Sequence, residues 1–297
     1  MRYGSICFIV WAAVAPVVAQ RNAPTLPPSS QAMATYLAGI ARTADPVENV
    51  YMNRARARGI SSLLQRKLAP QQEMQLRVKI ATELLQGGMA QEAVAQLEYV
   101  YAEIKKKKVP VKESYFRNLR DLLGIAYLRV GGEKSGVPPH DWVFPMGPGE
   151  ATSLPAGPRK AIELYESNLK GAPDELATRW LLNIAYMTLG EYPDKVPAAW
   201  RIPPTAFASE YAIGRFVDIA AAAGVDAVGH AGGSVVDDFD GDGLLDIVAS
   251  SRGLTDPLRF FRNEGDGTFD EWTERAGLRG QLGGLNLAHA DYDNDGD

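Results

Sequence analysis

The chain has 297 residues, with 31 Lys and Arg against 36 Asp and Glu, 46% hydrophobic and 23% charged residues. These proportions exclude a disordered chain, a collagen and a polytopic membrane protein, and the length suits about two domains. The net charge of −5 is unevenly spread: residues 214–297 hold 17 acidic residues, six Arg and no Lys, a net −11, which leaves +6 on the first 213. Such asymmetry marks separate modules. The acidic end also lacks the clustered Lys and Arg that phosphate binding requires, so nucleic acid is not an expected partner.

At the N-terminus Arg2 precedes the apolar run Ile6–Ala19 (ICFIVWAAVAPVVA). That run has the length of a signal-peptide core and is shorter than the roughly 20 residues a membrane span needs. Small residues at Val17 and Ala19 suit cleavage before Gln20. The reading is a signal peptide over 1–19 and a protein that is secreted, periplasmic or at the cell surface, with no membrane span after cleavage. An uncleaved N-terminal anchor is the competing reading; Pro16 and the Pro-rich stretch that follows favour cleavage. The sole cysteine, Cys7, falls inside this segment. A mature chain therefore has no disulfide and draws its stability from packing or from metal. Residues 20–30 are polar and Pro-rich and predict a disordered leader.

Helical patterning covers 31–190, and within it three segments fit the tetratricopeptide period of about 34 residues. The first places Ile80, Ala81, Leu84 and Gly88 on one helix and Ala93, Leu97 and Val100 on the next. The second places Leu123, Gly124, Tyr127 and Gly131 before Ala161, Tyr165 and Leu169. The third begins with Leu182, Tyr186 and Gly190, in register with the second. Small residues at fixed offsets let paired helices approach closely, and a plain helical bundle is the alternative. The second repeat is split by a Gly- and Pro-rich insertion at 132–156 carrying Trp142, Phe144 and Met146. A long loop with aromatics is a candidate recognition element, whereas His140 within it has no reactive companion at fixed spacing. Residues 191–230, with Pro193, Pro197, Pro203 and Pro204, predict a stiff linker.

From 231 the pattern changes to short β runs separated by Gly, Asp and Asn. The sharpest motif is Asp238-Phe239-Asp240-Gly241-Asp242-Gly243-Leu244-Leu245-Asp246. Asp238, Asp240, Asp242 and Asp246 stand at positions 1, 3, 5 and 9 of a loop, and such carboxylates converge without strong repulsion only around a cation. Ca2+ suits them, being a hard ion with an irregular oxygen shell, whereas Zn2+ prefers His and Cys. Position 12 is Ala249 and the flanks read as strands, so the loop is not an EF-hand. Fifty-three residues later Asp291, Asp293 and Asp295 repeat the start of the motif, and the sequence stops at Asp297, before position 9. The expectation is a fragment that ends inside a second calcium loop, with those three residues as conditional ligands. Between the loops, Leu258 to Asn263 reads as a strand, residues 263–269 (NEGDGTF) as a hairpin and Thr273 to Leu278 as a helical turn.

The pairing of DxDGDGxxD with N-x-GDGTF resembles the FG-GAP or VCBS blade of integrin-α-type β-propellers. The longer run Gly232–Asp297 is similar to the cartilage acidic protein / ASPIC-UnbV group of secreted propeller proteins, some with N-terminal tetratricopeptide repeats. The resemblance implies a calcium ion in each such loop, with Asp238, Asp240, Asp242 and Asp246 as ligands. It also implies an α+β multidomain chain of helical hairpins followed by the first blade or blades of an incomplete propeller. The implied function is an exported, calcium-binding interaction or adhesion protein whose helical repeats take a protein or peptide. The alternative is a metal-dependent hydrolase, with His230 and His289 near the acidic loops, whose active site lies largely in further blades. No Ser/His/Asp or Cys/His set, phosphate loop or zinc cluster is legible, and nothing indicates an oligomeric state.

Overall fold

The computed structural model describes residues 7–8, 28–107, 110–135, 154–208, 210–211 and 216–291. The chain divides into two compact units: Pro46–Ile213, and Met1–Asp45 together with Gly214–Asp297. The first helix, α1 (Pro28–Thr43), opens inside the stretch expected to be a disordered leader. Proline is tolerated at a helix start, where its missing N–H forfeits no bond.

The Pro46–Ile213 unit is helical, with α2 (Asn53–Ser61), α3 (Pro70–Gln86), α4 (Ala90–Lys107), α5 (Glu113–Ser135), α6 (Ala156–Gly171) and α7 (Leu176–Met187). Each of these helices packs on the next in sequence, and α5 also touches α7. The residues selected by the repeat spacing form its core. Ile80, Ala81, Leu84, Ala93, Leu97, Val100 and Leu123 are buried in one cluster, and Ala161, Tyr165, Leu169, Leu182 and Tyr186 in a second. The insertion starts as helix, since α5 continues to Ser135; residues 136–153, with His140, Trp142, Phe144 and Met146, lie outside the described residues.

Gly124 shows why a small residue is needed where α5 meets α6. A Cβ there would lie 2.5 Å from Cε1 and Cζ of the fully buried Tyr165. We predict that Gly124→Ala destabilises the helical unit by about 1–3 kcal/mol, as overpacking of a filled core does. Chemical denaturation followed by circular dichroism measures it, and an unchanged midpoint would mean the helices have room to spare.

A buried polar network sets the register of α5, α6 and α7. Arg120 donates to Asn168 Oδ1 at 2.7 Å, Asn168 donates to Asp121 Oδ1 at 2.8 Å, and Thr178 donates to Asp121 Oδ2 at 2.8 Å. Burial pushes the Asp121 carboxyl up, against hydrogen bonds from Thr178 and Asn168 that favour its charge. Paired groups of this kind tolerate few alternative packings, because any slip leaves one of them unsatisfied. The Pro-rich segment after α7 is likewise held. Asn183, fully buried, donates to Trp200 O at 2.9 Å and accepts from Ile202 N at 3.0 Å, while Arg179 donates to Trp200 O and Arg201 O. Residues 200–202 are thus held against α7.

The other unit carries a short α8 (Ala220–Ala223) and the strands β1 (Cys7–Phe8), β2 (Ser234–Asp237), β3 (Asp246–Ala249), β4 (Arg259–Asn263), β5 (Phe269–Glu271) and β6 (Ala288–His289). Strands β2 to β5 form one antiparallel sheet in chain order, and β1 pairs with β6. Register places Val235 opposite Val248 and Val248 opposite Phe260. With Leu258 and Leu287 these residues make the sheet's apolar core. The chain is therefore α+β, with the helical and β regions in the order the periodicity indicates. Within this unit α1 is tied to the β region: Gln281 Nε2 donates to Ser30 O at 3.2 Å.

Candidate metal centre

The centre is the β2–β3 connection. Asp237 pairs with Asp246, so the ladder closes a loop of residues 238–245, and Asp246 is already the first residue of β3. Gly241 and Gly243 sit at φ 74° and 88°, left-handed values that a side chain makes costly. These two turns bend the loop back on itself. Asp238 Oδ1 accepts from Asp242 N at 3.1 Å, and Asp238 Oδ2 from Gly243 N at 2.9 Å. Asp240 Oδ1 also accepts from Asp242 N, at 3.2 Å.

Asp246 is the buried member, on the same face of β3 as Val248. A carboxylate there needs donors, and it has two: Asn263 N at 2.8 Å on Oδ1 and Phe239 N at 3.2 Å on Oδ2. Burial pushes its carboxyl up to about 6, the charges of Asp240 and Asp242 add to the rise, and the two backbone donors oppose it. Asp238, Asp240 and Asp246 place one oxygen each within 4.8 Å of one another. An all-carboxylate donor set of this kind suits a hard divalent cation.

Asp242, the remaining residue of the motif, is turned to a different partner. Its Oδ1 accepts from Leu244 N at 2.9 Å and its Oδ2 from Arg262 Nη2 at 2.5 Å. Arg262 also donates Nε to Asp240 Oδ2 at 2.6 Å and Nη1 to Glu264 Oε1 at 3.1 Å, and its guanidinium lies 4.9 Å from the centre of the Trp272 ring. The Asp240 hydrogen bond, reinforced by Glu264, holds the guanidinium firmly in its charged form against partial burial.

The neighbouring Asn263 completes a second link, since its Nδ2 donates to Leu245 O at 2.9 Å while its N–H serves Asp246. The two sequence motifs are thus one structural object. The β4–β5 hairpin, closed by Asn263 opposite Phe269, supplies the Arg and Asn that hold the acidic loop in shape. The sequence reading paired DxDGDGxxD with N-x-GDGTF but missed Arg262 and assigned Asn263 no function. The available signal was an Arg-Asn pair directly before the hairpin, and only the register across β3 and β4 gives it meaning.

Residues 238–297 match the FG-GAP-like repeat. The FG-GAP repeat begins on Asp238 itself and includes the acidic loop, the hairpin and the start of the second acidic loop. No curated protein and no solved structure matches the chain. Of the second loop Asp291 is described, whereas Asp293 and Asp295 lie outside the described residues.

His230 and His289 stand apart from the three-carboxylate cluster. His230 Nδ1 is 2.9 Å from Asp256 Oδ2, which also accepts from Ser251 Oγ at 2.5 Å. Ser251 Oγ also lies 2.8 Å from His230 O and accepts from His230 N at 2.9 Å. The trio thus ties residues 230, 251 and 256 together through the Ser251 hydroxyl and the Asp256 carboxylate. Burial pushes the Asp256 carboxyl up, but the bonds from Ser251 and His230 outweigh it and leave it below the usual range. His289 Nδ1 lies 3.0 Å from Asp237 Oδ2, and its ring meets Phe239 edge-on. Among the described residues no helix is long and apolar enough to cross a membrane.

Proposed function

We propose that the chain is an exported interaction protein in which the FG-GAP repeat is stabilised by Ca2+ held in the 238–246 loop. The observation that carries this reading is the convergence of Asp238, Asp240 and Asp246, fixed by backbone donors from within the loop and from the β4–β5 hairpin. The resemblance to calcium-binding propeller blades supports Ca2+ over other divalent ions. The β2–β5 sheet has four antiparallel strands, the number in a propeller blade, which supports that reading. The consecutive packing of α2 to α7, with the repeat-spaced residues in the core, supports a tetratricopeptide-like scaffold, and by fold analogy its ligand is a protein or peptide. The apolar segment Ile6–Ala19 supports export.

The elevated Asp246 carboxyl gives the reading a pH signature. Without metal, a folded-state value near 6 against an ordinary 3.8 means that the folded protein binds this proton more tightly than the unfolded chain. The associated stability is present at low pH and is lost as pH rises through 6. A cation favours the carboxylate and removes that loss, so proton and Ca2+ compete. The rise in unfolding midpoint on adding calcium is therefore expected to be large at pH 7.5 and to shrink at pH 5. Calorimetric scans with calcium or excess chelator at the two pH values measure it; equal shifts at both would contradict the assignment of Asp246 as a ligand.

A further inference from the structure

We infer that Arg262 is a tethered counter-cation of the acidic loop, one that competes with Ca2+ for Asp240 and Asp242 and so sets the calcium affinity of the site. The inference rests on the calcium reading of the loop given above. Its basis is the placement of one guanidinium on three carboxylates: Asp240 at 2.6 Å, Asp242 at 2.5 Å and Glu264 at 3.1 Å.

The loop concentrates four carboxylates within nine residues, and such a set needs positive charge to hold its shape. Arg262 supplies it from β4. A planar fork that satisfies two carboxylates at once is the strongest side-chain partner available to them. The cost falls on the cation site. Asp240 shares its Oδ2 with the guanidinium, and Asp242 is drawn out of the cluster that Asp238, Asp240 and Asp246 form. A cation that recruits Asp242 as a fourth carboxylate has to displace Nη2, and the exchange replaces one positive charge by two.

The released guanidinium has a place to rest. Glu264 and the Trp272 ring already flank it, Glu264 precedes the hairpin glycines, and neither belongs to the cation cluster. Arg262 is thus a positioning residue: it stabilises the loop without calcium and yields to calcium when the ion arrives.

The experiment compares the full chain with Arg262→Lys, Arg262→Met and the control Arg279→Met. The control removes one positive charge from an exposed pair with Glu274, away from the acidic loop. Each protein is titrated with calcium chloride at pH 7.5 by calorimetry, and its unfolding midpoint is measured in excess chelator. The expected result is calcium binding about tenfold tighter in Arg262→Met, as loss of a bidentate charged competitor implies, and a smaller gain in Arg262→Lys, which keeps the charge and loses the fork. In chelator both variants melt below the wild type, Arg262→Met by more, because the loop loses its counter-cation in Arg262→Met and the two-pronged grip on Asp240 and Asp242 in Arg262→Lys. Arg279→Met binds within about twofold of wild type, since an exposed distant charge is screened.

Equal or weaker binding by the Arg262 variants, with wild-type binding intact and wild-type circular dichroism, would overturn the inference and leave the calcium reading standing. So would unchanged midpoints in chelator. Absence of binding by all four proteins would overturn the calcium reading and this inference with it.

Discussion

Saturating calcium is expected to raise the unfolding midpoint of the wild-type chain above its value in excess chelator, and Asp240→Ala is expected to remove most of that rise. The size follows from linkage. An ion that binds only the folded loop stabilises it by about 2.7 kcal/mol at a hundredfold excess over its dissociation constant. Asp240 is chosen because it belongs to the three-carboxylate cluster yet accepts only one backbone bond, from Asp242 N at 3.2 Å. Its loss takes a ligand from the ion and a partner from Arg262 while leaving the β2–β3 ladder paired. Differential scanning calorimetry of the two proteins, each with calcium and with chelator, gives the four midpoints required. A variant that retained the full calcium shift would place the ion elsewhere.

Asp246→Ala acts differently, because Asp246 serves the fold before it serves any ion. Its two oxygens accept from Asn263 N and Phe239 N, one donor from the hairpin and one from the loop. Truncation orphans both N–H groups around a fully buried position. Leaving buried donors unsatisfied costs about 1–3 kcal/mol each, partly relieved where water can enter. The expected result is a loss of about 2–4 kcal/mol in chelator, together with loss of the calcium response. The comparison with Asp240→Ala separates a ligand from a ligand that is also a structural acceptor. Equal stabilities of the two variants in chelator would show that the Asp246 bonds contribute little.

Much of this arrangement is legible in the sequence, for physical reasons that also explain where the reading falls short. The helical core follows from period: Ile80, Leu97, Tyr165 and Leu182 stand at positions that helical spacing marks as apolar, and all four are buried. Gly124 against Tyr165 is the clearest case, since a single absent side chain allows the contact. The acidic loop is legible because its carboxylates lie within nine residues and its turns require Gly241 and Gly243. Arg262 and Asn263 escape the same reading because their role depends on strand register, which spacing along the chain does not encode. The Pro-rich stretch after α7 suggests a linker by composition, yet Asn183 and Arg179 capture its carbonyls. The network of Arg120, Asp121, Asn168 and Thr178 is invisible for a related reason: each residue alone is an ordinary polar position on a helix, and only the three-helix packing joins them.

The most direct test of the account is the binding of calcium itself. Isothermal titration of the wild-type chain and of Asp240→Ala with calcium chloride at pH 7.5 reports it without relying on unfolding. The account predicts a saturable binding event in the wild type that Asp240→Ala weakens by at least about tenfold, the loss expected for a charged ligand removed from a carboxylate site. Heats of dilution alone in the wild type, or identical isotherms for the two proteins, would contradict it.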